Sequence, residues 1–265
     1  MTKESGGREI KAVKKSCKIL QTIKEREGAT LSELTEEIDL SVGTIHTHLT
    51  TLENFGLVVE KDKGFALSYQ FIIYGEHVRN HSRLYNAAKE EVDNVAEETG
   101  EIVHLMVEHN GREVSLYETW GDNAVATDYR TLMQEELEYL HCTASGKTIL
   151  AHLPDSKVAK IIGDHGLTKM TDNTIVDREE LLDNLEEVRD RGYALNYEEE
   201  VSGIRAVGVP IFKEEEILGS ISISAPTARM QDSKFTEDYP QILKQAANII
   251  EINIETSNSE SQQLL

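Results

Sequence analysis

Hydrophobic positions recur at helical spacing through the first third of the chain. Between Lys11 and Glu27, Val13, Cys17, Leu20 and Ile23 mark one stripe of an amphipathic helix that Gly28 ends. Thr30 and Glu33 form a Thr-x-x-Glu box opening a short second helix with Leu31, Leu34 and Ile38 on one face. Ser41 is placed to cap a third, in which Val42, Ile45, Leu49 and Leu52 form the apolar stripe. Leu57 to Glu60 and Phe65 to Leu67, flanking a turn at Lys61-Asp62-Lys63-Gly64, predict a hairpin. Residues 70–98 predict one long connecting helix carrying Leu84, Ala88, Val92 and Val95.

After Thr99-Gly100 the period changes. Strands are expected over 102–107, 114–119, 193–197, 207–212 and 217–224, with a turn at Asn110-Gly111. Helices are expected after Tyr139, after Asp177 and from about Glu237 to Ile254. The fold class is therefore α+β: residues 1–69 a winged helix-turn-helix, 70–98 a linker helix, 99–255 a domain with a central antiparallel sheet, and 256–265 a disordered tail.

Two short helices joined by a tight turn, the second rich in small polar residues and followed by a hairpin, have the pattern of a winged helix-turn-helix that sets its second helix in the major groove of double-stranded DNA. The face opposite the stripe is made by Gly43, Thr44, Thr47, Thr50 and Thr51, capped by Ser41 and flanked by His46 and His48. Threonine hydroxyls bond phosphates or base edges and threonine methyls touch thymine methyls, while Lys61 and Lys63 at the hairpin tip reach the backbone.

Charge changes the picture only when divided along the chain. The net charge is −21, yet residues 1–75 carry ten basic and eleven acidic side chains against 17 and 37 in the remainder. Residues 1–30 are locally basic, eight to four, as a phosphate-facing segment requires. The acidic remainder suits a salt-rich cytoplasm, which suggests a halophilic source. No apolar run approaches the roughly 18–20 residues of a membrane span, and the N-terminus lacks a secretory core, so the chain is expected to be cytoplasmic.

Catalytic motifs fare poorly. Ser145-Gly-Lys-Thr148 resembles the end of a phosphate-binding loop, but that motif needs glycine where His141 stands. The neighbours His141 and Cys142 lack a third orienting residue, and the two cysteines, Cys17 and Cys142, have no metal-ligand spacing. No enzyme activity, cofactor or metal is expected.

The chain resembles the IclR family of transcription factors over nearly its whole length. Lys15-Ser-Cys-Lys-Ile-Leu20, Gly43 through Leu52 and Phe55-Gly-Leu57 follow the family's winged helix. Leu140 through Ala151, Arg191-Gly-Tyr193, Gly203 through Pro210 and Gly219 through Ser224 match its GAF-like effector-binding domain. Thr47 stands where the family usually has arginine, and Ala206 where many members have cysteine. The resemblance implies a small-molecule effector, commonly an organic acid, in a cup lined by Ala144, Ser145, Gly146, Asn196, Ala206, Ser222 and Ser224. A single winged helix buries little DNA surface and two-fold half-sites extend it, so a homodimer or dimer of dimers on an operator is expected. Small hydroxylated residues at a helix start offer donors to such a carboxylate. The competing reading is a small-molecule-binding or catalytic protein whose helix-turn-helix contacts protein.

Overall fold

The computed structural model describes residues 9–124, 139–231 and 233–262, with side chains of the last helix to 256. The chain divides into two compact units that meet at Arg79 and Asn80.

The first unit holds α1 (Lys11–Glu25), α2 (Leu31–Glu37), α3 (Val42–Asn54), β1 (Val58–Lys61), β2 (Gly64–Leu67) and α4 (Gln70–Asn80). Its core is Ile19, Ile23, Leu34, Ile38, Ile45, Leu49, Leu52 and Val58. The Thr30–Glu33 capping box forms reciprocally, the Thr30 amide donating to Glu33 Oε2 at 2.7 Å and the Glu33 amide to Thr30 Oγ1 at 3.2 Å. The hairpin turns at Asp62-Lys63, with Lys61 opposite Gly64. Gly64 adopts φ +118°, and a Cβ there would lie 2.6 Å from the Ala29 carbonyl oxygen. That close approach lets Ala29 and Phe65 exchange backbone hydrogen bonds of 2.8 and 2.9 Å, tying the wing to the helices.

Two expected stripes shift. In α1, Val13 and Cys17 are exposed and the buried face is Ile19, Thr22 and Ile23. Ser16 turns toward α3, its hydroxyl bonded to His48 Nδ1 at 2.8 Å. At about 100° per residue this seating carries Cys17 some ~160° from Ile19. In α3, Ile45, Leu49 and Leu52 are buried as expected, but Val42, the first helical residue, is 53% exposed.

The single helix expected over 70–98 is two helices, α4 and then α5 (Arg83–Thr99). Ser82 ends the continuity by adopting extended backbone and accepting from the Tyr85 amide, an N-cap of its own. Gly100, at φ +73°, closes α5.

The second unit continues with β3 (Ile102–His109), β4 (Arg112–Trp120), α6 (Ala144–His152), α7 (Asp155–His165), α8 (Arg178–Arg191), β5 (Ala194–Tyr197), β6 (Ile204–Lys213), β7 (Glu216–Pro226), a π-helical turn (Lys234–Asp238) and α9 (Tyr239–Gln262). The last helix thus runs past the point where the sequence suggests a disordered tail from 256; residues 263–265 of that tail lie outside the described residues. The strands form one antiparallel sheet ordered β4-β3-β7-β6-β5.

Alternation along these strands makes two unlike faces. Val103, Leu105, Val207, Val209, Ile221 and Ile223 pack against α5 and α9, joining Val92, Leu243 and Ile250 in the larger core. The other face carries His104, Ala206, Gly208, Ser222 and Ser224, brought level by the pairs His104–Ser222, Ala206–Ser224 and Gly208–Ser222. Over it lies α6, backed by α7 and α8 through Ile149, Leu150, Val158, Leu181 and Leu185.

Candidate DNA-reading and ligand-binding sites

Helix α3 begins at Ser41, whose hydroxyl accepts from the Thr44 amide at 3.3 Å and shares a 2.8 Å bond with Thr44 Oγ1. Val42, Gly43, His46, Thr47, Thr50 and Thr51 are exposed and Thr44 half-buried, so the predicted DNA-facing residues share one outward surface. Thr47 Oγ1 donates to the Gly43 carbonyl at 2.8 Å and Thr51 Oγ1 to the Thr47 carbonyl at 2.9 Å. With those protons turned inward, the two side chains offer methyl groups and acceptor lone pairs outward. Lys61 and Lys63 are exposed at the hairpin tip. The hydrophobic reading of the sequence assigned Val42 to the core, but it is exposed at the start of α3.

In the second unit α6 is buried from Ala144 to Ala151. Thr143 caps it, accepting from the Gly146 amide at 2.8 Å while donating to Glu113 Oε2 at 2.7 Å. Gly208 sets how closely the helix approaches the sheet: a Cβ there would lie 2.7 Å from the carbonyl of Ala144 and 2.8 Å from the Ser145 nitrogen. Thr148 Oγ1 fixes the same contact, 2.8 Å from the Ala144 carbonyl oxygen and 3.0 Å from that of Gly208.

Between the α6 N-terminus and the polar sheet face lies a cavity of about 70 Å³ lined by Ala144, Ser145, Ala206, Ser222, Ser224 and Thr143, with His104, Met106, Ser115, Glu113, Glu118 and Glu200 completing the wall. Five of the seven predicted effector residues thus meet there. Ser145, Ser222 and Ser224, residues 5%, 2% and 5% exposed, stand together on the cavity wall. Ala144 and Ser145 occupy the first helical turn, where amides have no intrahelical acceptor.

The other two stand behind the wall. Asn196 is spent on the scaffold, its Nδ2 donating to the Cys142 carbonyl at 2.6 Å and its Oδ1 accepting from the Glu199 amide at 2.8 Å. Gly146 packs against Leu140, where any side chain would collide. Sequence reasoning missed the acidic wall and His104, whose Nδ1 lies 3.1 Å from Glu118 Oε2. Strand alternation, with His104 two residues from Ile102 and opposite Ser222, was the available signal.

A larger hollow, about 670 Å³, opens near Leu153, Pro154 and Ile217. On its wall Lys157 pairs with Glu108 at 2.5 Å and Arg189 donates to the Ala151 carbonyl.

The rejected catalytic motifs have structural roles. Lys147 Nζ points inward, donating to the Leu195 carbonyl at 2.8 Å and to Glu199 Oε1 at 2.5 Å, and burial holds its ammonium below the ordinary lysine value. Such a lysine cannot reach a phosphate. Burial, reinforced by Glu200, pushes the Cys142 thiol far above its usual range, so it supplies no thiolate nucleophile. His141 bonds the Thr168 carbonyl at 3.0 Å, and burial lowers its basicity. Among the described residues no group of three metal-ligating side chains occurs, and no helix is long and apolar enough to cross a membrane.

Residues 76–252 match the family model described as the bacterial transcriptional regulator IclR C-terminal, and residues 14–59 match a winged helix-turn-helix DNA-binding model. The chain is 38% identical to the probable HTH-type transcriptional regulator ArcR of Halobacterium salinarum, over 94% of this chain and 96% of that protein. It is 27% identical to the transcriptional repressor IclR of Escherichia coli, over 91% and 89% respectively. The crystal structure of Thermotoga maritima IclR superposes with a TM-score of 0.68 at 31% identity, covering 93% of this chain and 99% of that one. These relatives are transcriptional regulators, not enzymes, and the chain belongs to the IclR family.

Proposed function

We propose that the protein is a sequence-specific DNA-binding transcriptional regulator whose operator affinity is set by a small molecule held between α6 and the sheet. The observation that carries this reading is the convergence of three serines, 5%, 2% and 5% exposed, on one cavity beside the N-terminus of α6. A few hydroxyls converging on a cavity are what fixes the orientation of a polar ligand. An acid group on that ligand meets the free amides of Ala144 and Ser145 at the positive end of α6. A ligand that favours one conformation of this unit changes DNA affinity by the ratio of its affinities for the DNA-competent and incompetent states.

On the DNA side, Val42, Gly43, His46, Thr47, Thr50 and Thr51 read base edges and Lys61 and Lys63 hold phosphates. A homodimer supplies two such faces to paired half-sites. Helix α4 supports this: it buries no residue, and Ile72, Ile73, Tyr74 and Val78 are 52–67% exposed, apolar side chains fit for contact with a second copy of the chain. The acidic balance supports a salt-rich cytoplasm as its setting.

The test is a mobility shift with DNA from upstream of the protein's own gene, using the full chain and the S222A/S224A variant. Specific retardation by both proteins, with metabolite extract altering it only for the first, is the expected result. Failure of either protein to prefer that DNA over random sequence would remove the regulatory reading.

A further inference from the structure

The outward surface of α3 is defined by what it lacks. From Val42 to Leu52 the helix carries no arginine, lysine, asparagine, glutamine or carboxylate, the side chains that read guanine, adenine and cytosine through hydrogen bonds to base edges. Its exposed residues are Val42, Gly43, His46, Thr47, Thr50 and Thr51, so that, histidine apart, the surface consists of valine, glycine and threonine. Gly43, Thr47 and Thr51 follow at four-residue intervals along one ridge. A Cβ at Gly43 would meet nothing within 4 Å, so the ridge is lowest near the start of the helix and a base pair can come close to Thr47. His48, on the flank of the same helix, is bonded to Ser16 of α1 at 2.8 Å, which helps to set the rotation of α3 and hence the direction of the ridge.

The hydroxyl protons on this ridge are already committed. Thr47 donates to the Gly43 carbonyl at 2.8 Å and Thr51 to the Thr47 carbonyl at 2.9 Å. Each oxygen is left as an acceptor beside a methyl group. In the major groove an A·T pair shows the N6 amino donor of adenine and the C5 methyl of thymine, whereas a G·C pair shows the N4 amino donor of cytosine and no methyl. An acceptor alone therefore cannot separate the two pairs; the methyl can. Thr47 and Thr51 stand about 6 Å apart along the helix axis, close to two base-pair steps of roughly 3.4 Å each. Resting on the DNA-binding reading above, we infer that α3 selects thymine through its 5-methyl group, with Thr47 the main specificity-determining residue and Thr51 the second.

The test begins with selection of a preferred site by the full chain from a random duplex library. The selected site is then made with deoxyuridine in place of each thymine in turn, which removes the methyl group and nothing else. At the contacted thymines the unaltered protein is expected to lose about fourfold in affinity per methyl, as burial of one such group allows. Thr47→Ser keeps the hydroxyl and loses the methyl, and is expected to bind the thymine and deoxyuridine duplexes equally at the position Thr47 reads. Thr47→Val keeps a methyl at that place and is expected to retain the difference between the two duplexes, whatever its overall affinity. A selected site indifferent to deoxyuridine throughout, or a difference that survives in Thr47→Ser and disappears in Thr47→Val, would overturn methyl reading and leave the protein a sequence-specific DNA binder. A selection that returns no preferred sequence would overturn both readings. Because the deoxyuridine series uses the unaltered protein, it decides the matter even if a variant folds poorly.

Discussion

Helices α3 and α6 begin alike and end in opposite surroundings. Each opens on a hydroxyl cap, Ser41 or Thr143, followed by small residues, Val42-Gly43-Thr44 in one and Ala144-Ser145-Gly146 in the other. Half of α3 faces outward, whereas α6 is covered from Ala144 to Ala151. Similar local chemistry thus stands in two unlike environments. Exposed, such a start lies open to solvent; enclosed, it borders a cavity of about 70 Å³. The helix start sets which groups are offered, and burial sets how much each is worth.

The sharpest contrast is tested at Lys147, for which α3 has no equivalent. Replacing it by methionine leaves Glu199 charged and buried, and full-length protein is expected to lose about 3–5 kcal/mol of stability in the unfolding of the second unit by urea. Adding Glu199→Leu should restore much of the loss; a single variant as stable as the parent would break the comparison.

Glycines come next and should differ in sign. Gly208→Ala forces a methyl group into the Ala144–Ser145 backbone and is expected to cost about 1–3 kcal/mol. Gly43→Ala meets nothing within 4 Å in a helix and should stabilise the first unit by roughly 0.5–1 kcal/mol. Thermal unfolding of both variants decides this, and equal shifts in the same direction would contradict it.

The caps give a smaller difference. Ser41→Ala is expected to cost about 1 kcal/mol. Thr143→Ala should cost roughly twice that, because it also removes a hydrogen bond from the buried Glu113 carboxylate. Denaturant midpoints that show the reverse order would mean that burial does not amplify the cap.

The least effect is expected at the wing. Lys61→Ala should weaken all DNA sites evenly and reduce the slope of log affinity against log salt by about 1. Val42→Ala or Thr47→Ala, by contrast, should alter which sequences are selected while leaving that slope in place. A binding-site selection in which Lys61→Ala changes the preferred sequence would exchange these roles.

The sequence made much of this legible where a local rule governs. Thr30, Ser41, Asp177 and Gly100 mark helix ends through their own chemistry, and the expected hairpins lie at Asp62-Lys63 and Asn110-Gly111. Periodicity was less sufficient where two phases compete. In α1 the stripe through Val13 and Cys17 and the face through Ile19 and Ile23 are both possible on paper, and the 2.8 Å Ser16–His48 bond, a contact across 32 residues, accompanies the second. The break at Ser82 shows how a cap outranks a continuing apolar pattern.

The candidate cavity was legible in its small residues and not in its charges. Ser222 and Ser224 announce themselves by alternation, but Glu113, Glu118 and Glu200 reach the same cavity from β4 and from the segment after β5. Only strand order brings those acids together, and the bulge at Leu105–Met106 determines which residues of β4 share the face. Asn196 shows the converse: a plausible polar residue, on the right strand, whose amide is already used in holding the scaffold.

The inward-turned hydroxyls of Thr47 and Thr51 have a consequence for how the regulator behaves in brine. Contacts between their methyl groups, the Val42 side chain and thymine methyls would be made by excluding water, and dissolved salt strengthens such contacts where kosmotropic ions prevail while it weakens contacts to phosphate. A reading surface built from threonines in place of arginine would therefore lose indiscriminate DNA binding first as ionic strength rises. Concentrated electrolyte would then act as a proofreader, leaving the protein on the sequences its methyl groups fit.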